Sequence, residues 1–220
     1  MVAATVVPAA LRRRRLQAIQ RSETRIIQSA IDVKFWAQGP PSCSAVRPAR
    51  CPGCGAASRE PGRPLCIVGH GLRSREVEGP EEPEAAPASI RVLGRRYRCQ
   101  GCGAVLVVVP RGVARALRYT LDAIGYALAL WGYAQKTAEQ ARRAVSAATA
   151  RGLSAPSQWS SLRRWAAQGQ RIFGSDAPST SGTLRNRAGQ VATWLTARAP
   201  LPTGQVPRDA FFGGRFVHAR

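Results

Sequence analysis

Cys51-Pro52-Gly53-Cys54-Gly55 and Cys99-Gln100-Gly101-Cys102-Gly103 are two copies of one local device, a Cys-x-x-Cys turn followed by glycine. The spacing lets both sulfurs of a turn face one ion, and glycine lets the backbone close around them. Two such turns supply four soft ligands, the tetrahedral all-cysteine set of a structural Zn2+, with no position open for a catalytic water. Metal binding would supply folding energy that so aromatic-poor a segment otherwise lacks. The pairs stand 44 residues apart, beyond the roughly 15–20 of the commonest pattern, and an acidic insertion accounts for most of the surplus. The competing chemistries are redox-active pairs, which occur singly within a βαβ pattern, and a [4Fe–4S] cluster; the duplicated glycine-flanked knuckles favour zinc. Cys66 and His70 have Cys-x3-His spacing and could replace one pair or serve a second ion. Two ligands do not make a site, so Cys66 is expected as a small buried thiol and His70 as a surface group or a support behind the ligands. Cys43 has no evident partner.

Outward from the knuckles, residues 43–110 read as turns and short strands. Gly71–Val77 and Ser89–Arg98 are strand candidates, Val105–Val109 is a third, and the run Glu78-Gly79-Pro80-Glu81-Glu82-Pro83-Glu84 reads as an exposed acidic loop. Before them lies a basic arm, residues 1–42, in which Ala9–Gln28 could be helical and Ile31–Phe35 alternates as a strand does. From Arg111 the period becomes helical. Leu121, Ile124, Leu128 and Trp131 make one apolar stripe across Tyr119–Tyr133. Thr137-Ala138-Glu139-Gln140 is a capping-box sequence opening a second helix to about Ala150. After Arg151-Gly152-Leu153, Ser154 can cap a third helix reaching about Gln168, with Pro156 in its first turn. A fourth helix is expected near Thr183–Arg198, and Pro200 onward reads as a flexible tail. The expected fold is a small α+β protein: a four-cysteine zinc ribbon of short strands (43–110), a mainly helical helix-turn-helix module (111–172), a linker, C-terminal helix and tail (173–220), and flexible termini.

A helix, a short glycine-containing turn and a second helix form the layout of helix-turn-helix DNA-binding units. In the second of the pair, Trp159, Leu162 and Trp165 should pack inward and leave Gln158, Ser160, Ser161, Arg163 and Arg164 outside. Glutamine can pair with adenine, and arginine can grip guanine or a phosphate. Arg142, Arg143, Arg151 and Arg171 would then flank the groove. An ordinary helical bundle with solvated arginines would show the same pattern, and it is the metal-stapled ribbon beside it that tips the reading toward DNA.

Cys51-Pro-Gly-Cys54-Gly, His70-Gly71 with Arg73 and Arg75, and Arg95-Arg96-Tyr97-Arg98-Cys99-x-x-Cys102 together resemble the zinc-ribbon segment at the start of bacterial insertion-sequence transposases and related uncharacterised helix-turn-helix proteins. Ser160-Ser161-Leu162-Arg163-Arg164-Trp165 looks like the recognition helix that follows the ribbon there. The resemblance covers about residues 51–170 and implies that ribbon and helices help recognise the element's terminal DNA. Strand transfer itself needs carboxylates gathered on a ribonuclease-H-like sheet. After Arg111 only Asp122, Glu139, Asp176 and Asp209 are acidic, so a non-catalytic, transposase-like DNA-binding protein is expected.

The charge agrees with such a partner. The formal net charge is +21, distributed as +5 over residues 1–42, +4 over 43–110 and +12 over 111–220, which points to a polyanion and puts the binding face after the last cysteine pair. Only Lys34 and Lys136 are lysines, so part of the excess reflects an Ala-, Arg-, Gly- and Pro-rich composition of the kind GC-rich genomes favour. Ala104–Pro110 and Ala123–Trp131 fall far short of the about 20 residues of a membrane span. Arg12–Arg15 stands where an export signal would have its apolar core, so a cytoplasmic, nucleoid-associated protein with reduced thiols is expected. The expected partner is double-stranded DNA, with no membrane and no small-molecule substrate. RNA or a ribosomal site would suit the charge equally, and a protein-interaction module self-associating through Trp194 and the last helix into a homo-oligomer is a third reading. An enzyme is least favoured: there is no P-loop, no Ser/His/Asp set, and histidine occurs only twice.

Overall fold

The computed structural model describes residues 24–113, 117–147 and 159–217. The chain is a small α+β fold. Strands β1 (Thr24–Asp32), β2 (Ile67–Gly79), β3 (Ala88–Cys99) and β4 (Val105–Arg111) form a mixed sheet in the order β1-β4-β3-β2. The run Val105-Leu-Val-Val-Val dictates the place of β4: with Leu106–Val109 all buried, both faces are covered and the strand is interior. β2 holds an edge, where residues 69–74, including His70 and Arg73, are exposed, and polar side chains discourage pairing with another chain.

The described residues divide into two compact units. The ribbon unit holds Pro41–Arg73, Gly94–Val108 and the strand residues up to Ile27, and the helical unit holds Gln28–Pro40, Ser74–Leu93 and the chain from Val109. In the ribbon unit Tyr97 is wholly buried and its hydroxyl donates to the carbonyl of Cys43 at 2.7 Å, the polar partner a buried phenol needs.

The helical unit contains α1 (Val33–Ala37), α2 (Leu121–Gly132), α3 (Ala138–Val145), α4 (Ser160–Ala167), α5 (Gly169–Phe173), α6 (Leu184–Thr196) and α7 (Val206–Phe216). Its centre is α2. Rather than burying one stripe, α2 is covered on every side from Leu121 to Ala129, because α6 and α7 both pack against it. Side chains this small let backbones touch: a Cβ on Gly132 would lie 2.3 Å from the nitrogen of Gly189, and one on Gly213 would lie 1.9 Å from the carbonyl oxygen of Leu195.

Several expectations change. Thr24–Gln28, read as the end of a helix, is strand, and the strand expected over Ile31–Phe35 gives way at Asp32, whose carboxylate caps α1 by accepting from Lys34 N. The acidic run is exposed only in part. Glu78 is buried, forms an ion pair with Arg118 and accepts from Ser146 Oγ at 3.1 Å, while Glu82 pairs with Lys34 at 2.6 Å. The second helix has its capping box but stops at Val145, where Ser146 is extended. The third is described from Ser160, with Trp159 as its non-helical cap; the cap expected at Ser154, and Pro156 with it, lie outside the described residues. Most of the tail expected from Pro200 is α7, which buries Ala210 and Phe211 and seals Arg215 against Asp122 at 3.0 Å. No long apolar repeat announces that helix: two glycines interrupt it, and they are the residues its close packing requires. The helix proposed for Ala9–Gln28, up to residue 23, and the turn Arg151-Gly152-Leu153 lie outside the described residues.

Helix propensity alone makes Gly213→Ala stabilising. The contact with Leu195 reverses the sign, and we expect a loss of about 1–3 kcal/mol in denaturant unfolding, against little change for Gly39→Ala, where a Cβ meets nothing within 4 Å.

Candidate metal centre and nucleic-acid interface

The two knuckles close by the same pair of main-chain hydrogen bonds. In the first, Cys51 N–H donates to Ala56 O at 2.9 Å and Gly55 N–H to Cys51 O at 2.8 Å. In the second, Cys99 N–H donates to Ala104 O at 3.0 Å and Gly103 N–H to Cys99 O at 2.8 Å. Gly55 and Gly103 sit at φ 75° and 76°, in the left-handed region, which is why glycine follows the second cysteine of each pair. An antiparallel bridge between Arg50 and Ala57 braces the first turn. The second is the turn between β3 and β4, whose antiparallel register sets Arg98 opposite Val105.

These turns bring Cys51, Cys54, Cys99 and Cys102 together, with one sulfur from each lying within 4.8 Å of every other. Cys51–Cys102 and Cys54–Cys99 are each 3.7 Å apart between sulfurs. Cys51 and Cys99 are buried, Cys102 is half-buried and Cys54 is exposed. The backbone N–H of Gly53 donates to Cys51 Sγ at 3.3 Å, and Arg25 of β1 donates to the carbonyl of Pro52 at 3.1 Å. Such a cluster can hold a metal ion. By themselves four adjacent thiols cannot all ionise. Burial pushes Cys102 up to about 12, whereas burial at Cys99 is outweighed by the backbone N–H groups of Cys102 and Gly101, which hold that thiol down to about 7. A bound cation removes this conflict by favouring all four thiolates.

Cys66, expected as a small buried thiol, is less buried than that and stands beside the cluster. It is half-buried and its sulfur lies 3.9 Å from that of Cys99, while His70 is exposed on β2. No spacing rule joins Cys66 to either knuckle, because its place follows from a long-range hydrogen bond, Gln100 N–H to Cys66 O at 2.7 Å. Cys43 Sγ lies apart, 4.0 Å from Arg47 Nη2.

Of the residues read as DNA contacts, those on α4 are arranged as expected. Leu162 and Trp165 are buried; Ser160, Arg163 and Arg164 are exposed, and Ser161 is half-buried. Trp165 is fixed by edge-on contacts with Trp159 (ring centroids 4.9 Å apart) and Tyr119 (5.0 Å), so the apolar side of the helix cannot turn outward. Among the described residues neither Arg163 nor Arg164 is in an ion pair. The flanking arginines behave differently. Glu139 takes Arg142 at 2.8 Å and Arg143 at 2.7 Å, and these guanidiniums hold its carboxyl down to about 2. Gln158 and Arg151 lie outside the described residues. Arg171, on α5, is exposed.

Two outcomes follow. Because the Glu139 carboxyl is depressed, its contribution to α3 is fully present above the ordinary carboxylate range and fades as pH falls toward 2; Glu139→Gln removes that acid sensitivity in a helicity titration. Withdrawing metal with a chelator should raise amide exchange at 51–55 and 99–104 by more than about tenfold while leaving α2, α6 and α7 protected, as hydrogen-exchange mass spectrometry would register. No protein-family model, curated protein or solved structure matches the chain.

Proposed function

We propose that this chain is a non-catalytic, double-stranded DNA-binding protein whose ribbon is stapled by one structural Zn2+. The carrying observation is how the fold partitions charge. Among its described residues the ribbon unit has nine arginines (Arg25, Arg47, Arg50, Arg59, Arg63, Arg73, Arg95, Arg96 and Arg98) against one carboxylate, Glu60, which is itself paired with Arg63 at 3.0 Å. The acidic stretch that dilutes this charge in the linear sequence belongs to the helical unit. A body so dominated by guanidiniums calls for a polyanion, even after two negative charges are allowed for a four-thiolate zinc centre. It also moves the emphasis away from the C-terminal half, where the linear count put the binding face.

Zinc is favoured by the sulfur geometry. Tetrahedral Zn–S bonds of about 2.3 Å put neighbouring sulfurs about 3.8 Å apart, and the two short pairs here are at 3.7 Å. Duplex DNA is favoured over other polyanions by α4, a rigid helix that offers Arg163, Arg164 and Ser160 on one exposed side. Charge and side-chain placement are what support this function.

Metal analysis should return about one zinc per chain. Duplex binding should fall steeply with salt, and Arg73→Gln with Arg98→Gln should flatten the slope by about 2 for any sequence, since each phosphate contact contributes about 0.9. Arg163→Ala should instead cost about 1–3 kcal/mol of discrimination between sequences. No duplex binding at low salt, or tighter binding of structured RNA under the same conditions, would overturn the proposal.

A further inference from the structure

A fifth sulfur, outside the four that lie within 4.8 Å of one another, stands beside the cluster. Cys66 Sγ stands 3.9 Å from Cys99 Sγ, close to the 3.7 Å that separates Cys99 from Cys54. Its backbone is fixed at both polar atoms: Cys66 N–H donates to Ser58 O at 2.9 Å, and Cys66 O accepts from Gln100 N–H at 2.7 Å. The second of these bonds ties Cys66 directly to the knuckle that carries Cys99 and Cys102. Gly101 marks the shared ground, because a Cβ there would lie 3.7 Å from Cys99 Sγ and 3.8 Å from each of Cys54 Sγ and Cys66 Sγ. The sulfurs of Cys54, Cys66 and Cys99 therefore border one small region, on the side of the cluster where Cys54 is exposed.

We infer that Cys66 is a reserve ligand that takes the place of Cys54, giving a second coordination set of Cys51, Cys66, Cys99 and Cys102. The inference rests on the zinc reading and adds an exchange to it. Cys54 is the ligand most open to water and to competing chelators, so its bond to the ion is the first to be challenged. When that bond breaks, Cys54 takes up a proton. Cys66 gives one up as its sulfur joins the metal, so the charge of the centre does not change. No oxidant is required, and Cys51, Cys66, Cys99 and Cys102 would together hold the ion while the first knuckle opens.

The test is cobalt substitution of the full chain, read by the thiolate charge-transfer band and the tetrahedral d–d bands. Cys54→Ser should keep a four-sulfur spectrum, and Cys54→Ser with Cys66→Ser should fall to three sulfurs and lose about tenfold or more in affinity. Cys66→Ser alone keeps all four primary ligands, and its metal should pass to a chromogenic chelator about tenfold faster than in the unmodified chain, a readout that does not depend on the Cys54 variant folding. A three-sulfur spectrum for Cys54→Ser, or transfer from Cys66→Ser at the unmodified rate, overturns the exchange. Absence of a four-sulfur spectrum in the unmodified chain instead overturns the zinc reading.

Discussion

Convergence of two distant cysteine pairs is the constraint on which the ribbon unit depends. Closing a loop of this length costs chain entropy that rises only slowly with further insertion, so the acidic stretch between the knuckles adds little to the cost. What it needs is a strong local reward at the closure point, and four soft sulfurs within 4.8 Å of one another supply a place for one. The rest of the unit arranges itself around that point: β3 and β4 meet at the second knuckle, β1 reaches the first through Arg25, and Tyr97 donates to the carbonyl of Cys43.

The sequence discloses whatever depends on near neighbours. Cys-x-x-Cys-Gly is such a signal, and so are the Thr137/Gln140 capping box and the apolar run at Val105, each legible because its geometry is complete within a few residues. Contacts set across the chain are hidden. The side of the cluster taken by Cys66, the burial of Glu78 with Arg118 and Ser146, and the pinning of Arg215 on Asp122 depend on residues tens of positions apart. α7 was illegible for a related reason. Its two glycines read as breakers in isolation, and only the approach of α6 and α2 gives them a purpose.

Charge behaves the same way. Counted along the chain, carboxylates in residues 76–84 offset arginines on either side of them. In three dimensions Glu78 and Glu82 spend their charge on Arg118, Lys34 and Arg215, all within the helical unit. The ribbon is left nearly free of acid. A segment-by-segment sum therefore misses this acid-poor body, because neutralisation follows packing and not order along the chain.

The backbone-to-backbone contacts of α2, α6 and α7 bear on how a chain with only 6% aromatic residues builds a dense interior. Long side chains fill space but surrender rotational freedom when they are immobilised, whereas glycine and alanine have almost none to lose. Density at these crossings comes from main chains drawn together, with dispersion summed over peptide groups added to that of a few rings such as Phe211. Such an interior obtains its cohesion at small side-chain entropic cost, and it tolerates enlargement at the crossing points far less readily than a core of interchangeable leucines.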